Sequence, residues 1–271
     1  MKRTVFAYPY VVWMLIFILA PMLLIVYYAF SLKGSLTLQN LAAAFDPLYM
    51  QVLLRSVLMA LYATAICLLL GYPVAYMLST MKRTTATLIS VFFVVPMWMN
   101  FLLRTYAWQV LLDVNGIING LLTLAGLPKQ QFLYTEGAVL LGMVYNFLPF
   151  MVLPIYTVLM KLDPSHTEAA ADLGANGRQT FFKVVLPLSM PGVVSGITMV
   201  FIPAITTFAI SQLLGGGKLM MYGDLIENQF LLMQAWGTGS ALSFILLILV
   251  LISMAVLRFT EGAEQEGGTL W

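Results

Sequence analysis

Six apolar stretches, each near the length needed to cross a lipid bilayer, constrain this chain more than any other feature. A hydrocarbon core about 30 Å thick calls for about 20 helical residues, since only a helix satisfies its own backbone polar groups there. The stretches cover residues 11–30, 52–79, 86–111, 137–160, 191–213 and 241–258. What is left of the 271 residues supplies short connections and nothing that reads as a separate soluble domain. With 61% hydrophobic and 9% charged residues, the chain lies far from the composition of soluble domains. The fold class expected is an all-α membrane protein with six transmembrane helices in one domain spanning residues 1–271.

The first stretch follows Met1-Lys2-Arg3 and resembles a signal peptide in that respect. Its length is that of a full span, and no small-residue cleavage site closes it, so an uncleaved first helix is expected, kinked at Pro21. Gly71 and Pro73 predict a bend in the second span, and Pro96, Pro149 and Pro154 interrupt the third and fourth. The acidic, Gly-rich tail after Arg258 predicts disorder. A single cysteine, Cys67, and a single histidine, His166, lie far apart. They supply no disulfide, no metal site and no nucleophile cluster, so no catalytic residue and no cofactor is expected. Gly215-Gly216-Gly217-Lys218 lacks both the first glycine of a P-loop and the Ser or Thr after its lysine. Any ATP hydrolysis therefore belongs to another subunit.

One long polar interval, residues 161–187, separates two apolar runs. Asp163 can cap a helix with Pro164 in its first turn, and Ser165 with Glu168 spells a second capping box. Ala169, Ala170 and Leu173 share a face, Glu168 and Asp172 lie one turn apart on the flank, and Gly174 can take the left-handed turn that ends the helix. At about 15 Å this helix is too short to span a bilayer and suits a groove on a partner. A helix resting on lipid is the alternative, but such helices carry Lys and Arg opposite large apolar residues; this one carries acids and alanines. Lys2, Arg3, Lys82, Arg83, Lys161, Arg178, Lys183 and Arg258 fall on one side of the spans, against Lys33, Lys129 and Lys218 on the other. The positive-inside rule then makes both termini and the interval cytoplasmic.

The spacing Glu168-Ala169-Ala170, Gly174, Val184-x-Leu186-Pro187 resembles the EAA loop of ABC-transporter permease subunits, which docks a membrane subunit onto its ATPase. Asp46 to Tyr49 (DPLY), Leu69 to Ser79, Tyr145 to Tyr156 and Leu213 to Lys218 narrow the resemblance to permeases of the PotB type, from spermidine/putrescine importers, over residues 46–257. It implies the type I ABC importer permease fold with a cytoplasmic coupling helix in a bacterial inner membrane. It also implies two copies of a PotA-type ATPase, a second permease of the PotC type, an extracytoplasmic PotD-type binding protein, and no nucleic acid. Glu168, Ala169, Ala170, Asp172, Leu173 and Gly174 would then couple to the ATPase. Some relatives carry acids where this chain has Gln212 and Ala235. A permease for thiamine, iron or another small solute is therefore a second reading. A secondary transporter is a third, against which stands the lack of acids within the spans.

For the cargo path the candidates are Trp98, Asn100, Arg104, Tyr106, Tyr145, Gln212, Asp224 and Glu227. An arginine at membrane depth normally faces a cavity or a partner, and an ion pair between helix ends is its plainer explanation. The aromatic rings suit ammonium groups through cation–π attraction and are equally compatible with helix packing. Asp46, Asp113, Glu136, Asp224 and Glu227 balance the outer Lys and Arg, counting Arg55 and Arg104, to zero.

Overall fold

The computed structural model describes residues 8–32 and 34–267. Lys2, Arg3 and Lys33 lie outside the described residues. Among those described, six helices are long and apolar enough to cross a membrane: Pro9–Ala29, Pro47–Thr80, Phe101–Leu124, Glu136–Leu159, Gly177–Thr206 and Trp236–Leu257.

The first crossing joins α1 (Tyr8–Met14) to α2 (Ala20–Ala29) through a π-helical turn, Leu15–Leu19. Pro21 has no N–H, and its ring crowds the carbonyl four residues back; a widened turn, closed by Ala20 N donating to Leu15 O, absorbs both. A two-stranded hairpin follows, β1 (Ser31–Leu32) against β2 (Ser35–Leu36), with Ser31 opposite Leu36 and Gly34 at φ +85° in its turn. Such short polar strands left no period in the sequence. Next comes α3 (Gln39–Ala44), tied back by Asn40 Nδ2, which donates to Tyr28 O and Ser31 O at 3.1 and 2.9 Å.

The second crossing, α4 (Pro47–Thr80), begins at the proline itself because Asp46 Oδ1 accepts from Leu48 N at 2.8 Å and caps the helix. The third crossing differs from the expected 86–111. The apolar run there divides into α5 (Arg83–Trp98) and α6 (Phe101–Leu112), and α6 continues to the membrane-length limit with α7 (Ile117–Leu124). Pro96 removes an amide near the end of α5. Asn100 Oδ1 then accepts from Leu102 N (2.9 Å) and Leu103 N (3.3 Å), starting a new helix where hydropathy alone continued the old one.

The fourth crossing is α8 (Glu136–Leu159). After it come α9 (Ser165–Asp172) and α10 (Gly177–Thr180), then a second π-helical turn, Phe181–Val185, and α11 (Leu186–Thr206). From Gly177 to Thr206 these form one rod, so the fifth crossing starts inside the interval expected to be loop and ends before 213. The device of the first crossing recurs: a wide turn precedes Pro187, and Leu186 N reaches Phe181 O. Beyond the rod lie α12 (Ala209–Gly215), α13 (Tyr222–Leu231) and α14 (Trp236–Gly267). The helical backbone of α14 runs across most of the tail expected to be disordered, where Glu, Ala and Gln are good helix formers; residues 268–271 lie outside the described residues.

Helices α4, α8 and α11 form the core, and small residues let them approach. A Cβ on Gly71 would sit 3.0 Å from Met151 Cγ, and one on Gly196 2.8 Å from Met151 Sδ. Buried Met151, Val152 and Ile155 of α8 fill the seam. The first crossing is the opposite case: in its most apolar window no residue is buried, and it leans mainly on α14.

Candidate functional site

Helix α9 stands apart from the apolar core. None of its residues is buried, and Leu173 at its end is 89% exposed. Asp163 Oδ1 accepts from Ser165 N at 2.9 Å, which starts the helix and holds the Asp163 carboxyl below the usual range. The Ser165–Glu168 box read from sequence does not form. The reciprocal box lies downstream, where Asn176 Oδ1 accepts from Gln179 N and Gln179 Oε1 accepts from Asn176 N. Between them, Gly174 at φ +79° donates to Ala171 O while Ala175 N reaches back to Ala170 O, the paired closure of a Schellman turn. Glu168, Ala169, Asp172 and Leu173 are exposed and Ala170 is half-buried.

Behind α9 the π-helical turn reaches the core. Phe181 meets Tyr72 and Tyr76 of α4 edge-on, with centroids 5.7 and 5.2 Å apart, and Tyr72 Oη lies 2.8 Å from Ser189 Oγ of α11. Arg178 covers the ring of Phe182 at 5.9 Å. A displacement of the exposed segment therefore has a packed route into two membrane helices.

On α6, Arg104 is 8% exposed, and its Nε has no hydrogen-bond partner among the described residues. No ion pair to Arg104 forms among them either, so the plainer explanation from sequence is not realised within this chain. The arginine lines a cleft of about 450 Å³ with Tyr106, Trp108 and Tyr145. Trp108 and Tyr145 meet edge-on at 5.4 Å. Trp98, 84% exposed at the end of α5, and Asn100, the cap of α6, are not among the residues lining that cleft.

The remaining candidates gather elsewhere. Gln212 of α12 and Asp224 of α13 line a second cavity, of about 200 Å³, with Ser211 and Asn228. Gln212 Nε2 donates to Glu227 Oε2. The first turn of α13 is fixed by Ser56 of α4, whose Oγ accepts from Tyr222 N at 2.7 Å, and by Asp224 Oδ2, which accepts from Met221 N at 2.7 Å. Ser56 and Asn228 had not been singled out in the sequence. Asn228 lies one helical turn after Asp224 and was legible by that spacing; Ser56, 166 positions from its partner, was not.

Several other outer charges are occupied. Arg55 pairs with Glu136 at 2.5 Å, Lys129 Nζ donates to Asn115 Oδ1, Asp46 caps α4, and Asp113 Oδ1 accepts from Asn115 N. Asp224 and Glu227 bring two acids together, and Lys218 lies in the turn between α12 and α13, flanked by Gly217 and Leu219 of the same cavity. No cluster of three or more His, Cys, Asp or Glu side chains suited to a metal occurs among the described residues.

Residues 3–262 match the family described as the binding-protein-dependent transport system inner membrane component. The spermidine/putrescine transport system permease protein PotB of Haemophilus influenzae is 42% identical over 256 residues, covering 91% of this chain and 88% of that one. PotB of Escherichia coli K12 is 38% identical over 253 residues, 90% of this chain and 92% of its own. The inner membrane ABC transporter permease protein YdcU of the same organism is 32% identical over 248 residues, 85% and 78% of the two chains. Among solved structures, a bacterial ABC transporter involved in import of the acidic polysaccharide alginate superposes with TM-score 0.71 at 17% identity, covering 98% of this chain and 96% of that one. At that identity the likeness speaks for the fold.

Proposed function

The chain belongs to the family of binding-protein-dependent transport system inner membrane components, and from that premise we propose that it is a membrane permease subunit of an ATP-driven importer for spermidine and putrescine. The cargo follows from the relatives at 38–42% identity over most of the chain, which are spermidine/putrescine permeases by name. In this reading the subunit forms half of the translocation path. A homologous permease of the PotC type forms the other half, two PotA-type ATPases bind below, and a PotD-type binding protein delivers cargo from outside.

The observation that carries the coupling role is α9, an eight-residue helix with no buried residue, ending on an exposed leucine and rigidly closed at Gly174. Exposed apolar surface on an otherwise acidic, alanine-rich helix suits insertion into a groove of a partner protein. The ATPase is that partner. Nucleotide-driven closure of the ATPase pair would shift α9, and the Phe181 contacts would pass the shift to α4 and α11. By the distribution of Lys and Arg, α9 and both termini face the cytoplasm of a bacterial cell.

Reconstitution in liposomes with the other three components is the direct test. ATP-dependent accumulation of labelled spermidine and putrescine is expected. ATP-dependent uptake of thiamine or ferric iron with polyamines excluded would overturn the cargo assignment and leave the permease role standing.

A further inference from the structure

Gln212 lies beside two carboxylates, those of Glu227 and Asp224. Glu227 accepts the Gln212 amide hydrogen. Asp224 is 4% exposed; its Oδ2 serves the Met221 amide, and its Oδ1 has no hydrogen-bond partner among the described residues. Ser211 and Gln212 lie beside that carboxyl and favour its charged form, while their hydrogens go to Phe208 O, at 2.7 Å, and to Glu227. An ionised carboxylate oxygen buried without a donor is strongly unfavourable, and a fold that retains one leaves a place for a cationic donor.

The cavity beside it has the shape of an answer. Its polar end is made by Asp224, Asn228, Ser211 and Gln212, and its walls by Leu219 and Met220. An alkylammonium group matches both parts: three N–H donors for the carboxylate and the amide and hydroxyl oxygens, and methylenes for the apolar walls. A bare metal cation would require six or more oxygens and has no use for those walls. At about 200 Å³ the cavity holds an ammonium head and its first carbons, with the rest of an extended diamine or triamine outside.

We propose that Asp224, with Asn228 beside it, is the seat for one terminal ammonium group of the transported polyamine. The proposal rests on the polyamine reading above. It requires that cargoes of different length depend on Asp224 to the same degree, because each presents the same terminal group.

The test uses the complete transporter in liposomes, with wild type and Asp224→Asn compared for putrescine and spermidine uptake over a range of sodium concentrations. Asparagine keeps an acceptor for Met221 N, so the helix start survives and thermal stability of the assembly should be equal or higher. Expected is a rise in KM of about tenfold or more, similar for both cargoes, from loss of a charge-assisted contact. Asn228→Ala should raise KM by a smaller factor. An unchanged KM in Asp224→Asn, with wild-type polyamine uptake intact, overturns the ammonium seat alone. A defect that takes the form of lost sodium dependence overturns it in favour of an inorganic cation. A wild-type transporter that carries no polyamine removes both this proposal and the reading beneath it.

Discussion

Burial pushes the Asp224 carboxyl up to about 6, against an ordinary 3.8. Because the folded protein binds this proton more tightly than the unfolded chain, the charged form weighs against the fold above about pH 6. That penalty, on the order of 3 kcal/mol at neutral pH, is relieved as pH falls through 6 toward 4. Without polyamine, the melting temperature of the purified assembly should therefore rise between pH 7.5 and 5.5, and the rise should be smaller in Asp224→Asn. Calorimetry of both forms across that window checks it; identical pH profiles would contradict it. The neighbouring Gly223 is constrained by contact and not by conformation. A Cβ there would lie 2.7 Å from Thr206 O and 2.8 Å from Thr207 O, backbone atoms that cannot turn aside. Gly223→Ala should cost about 1–3 kcal/mol and lower the melting temperature. Gly142→Ala, whose new methyl meets the movable end of the Leu214 side chain and the Cγ2 methyl of Ile210 instead of backbone, should cost less.

At the level of elements, the segment from α9 to α11 turns at Gly174 and is seated on α4 through Phe181. Phe181→Ala removes the edge-on contacts with Tyr72 and Tyr76 and changes no residue of α9. It should leave ATPase association intact and lower the cargo moved per ATP hydrolysed, measured by parallel phosphate release and uptake. Glu168→Lys, on the exposed helix itself, should instead weaken association. Loss of association in Phe181→Ala would contradict this division of roles. The sequence made α9, its Asp163 start and its left-handed Gly174 legible, because each rests on bonds within a dozen residues. It did not make the division of the third span at Asn100 legible, since hydropathy continues through the break and only a side-chain cap decides it. Nor did it reveal that 177–206 is one rod: Pro187 reads as a breaker until a wide turn is allowed for. The cavity at Asp224 depended on Ser56 and Gln212, brought to α13 from α4 and α12 by packing that no local pattern encodes.

Over the whole molecule, three tightly packed helices carry the core while the first crossing contributes no buried residue in its most apolar window. The orientation assigned to this bundle is open to a simple measurement. Cys67 of α4 is fully buried against α8, its Sγ facing Val144 O, so the natural chain should stay unlabelled by a membrane-impermeant maleimide. Leu173→Cys should be labelled only when the reagent reaches the cytoplasmic face, and Lys129→Cys only from outside. The reverse pattern would invert the topology and remove the ATPase from reach of α9. The rod from Gly177 to Thr206, about 45 Å at helical rise, meets the docking arm at one end. At the other, the carbonyl of Thr206 leaves no room for a side chain at Gly223, one residue before Asp224. If α9 docks on an ATPase and Asp224 seats the cargo, fuel and freight act on opposite tips of a single pushrod: a stroke delivered below would be felt at the seat above without an intervening relay, and an occupied seat would in turn stiffen the engine's mounting.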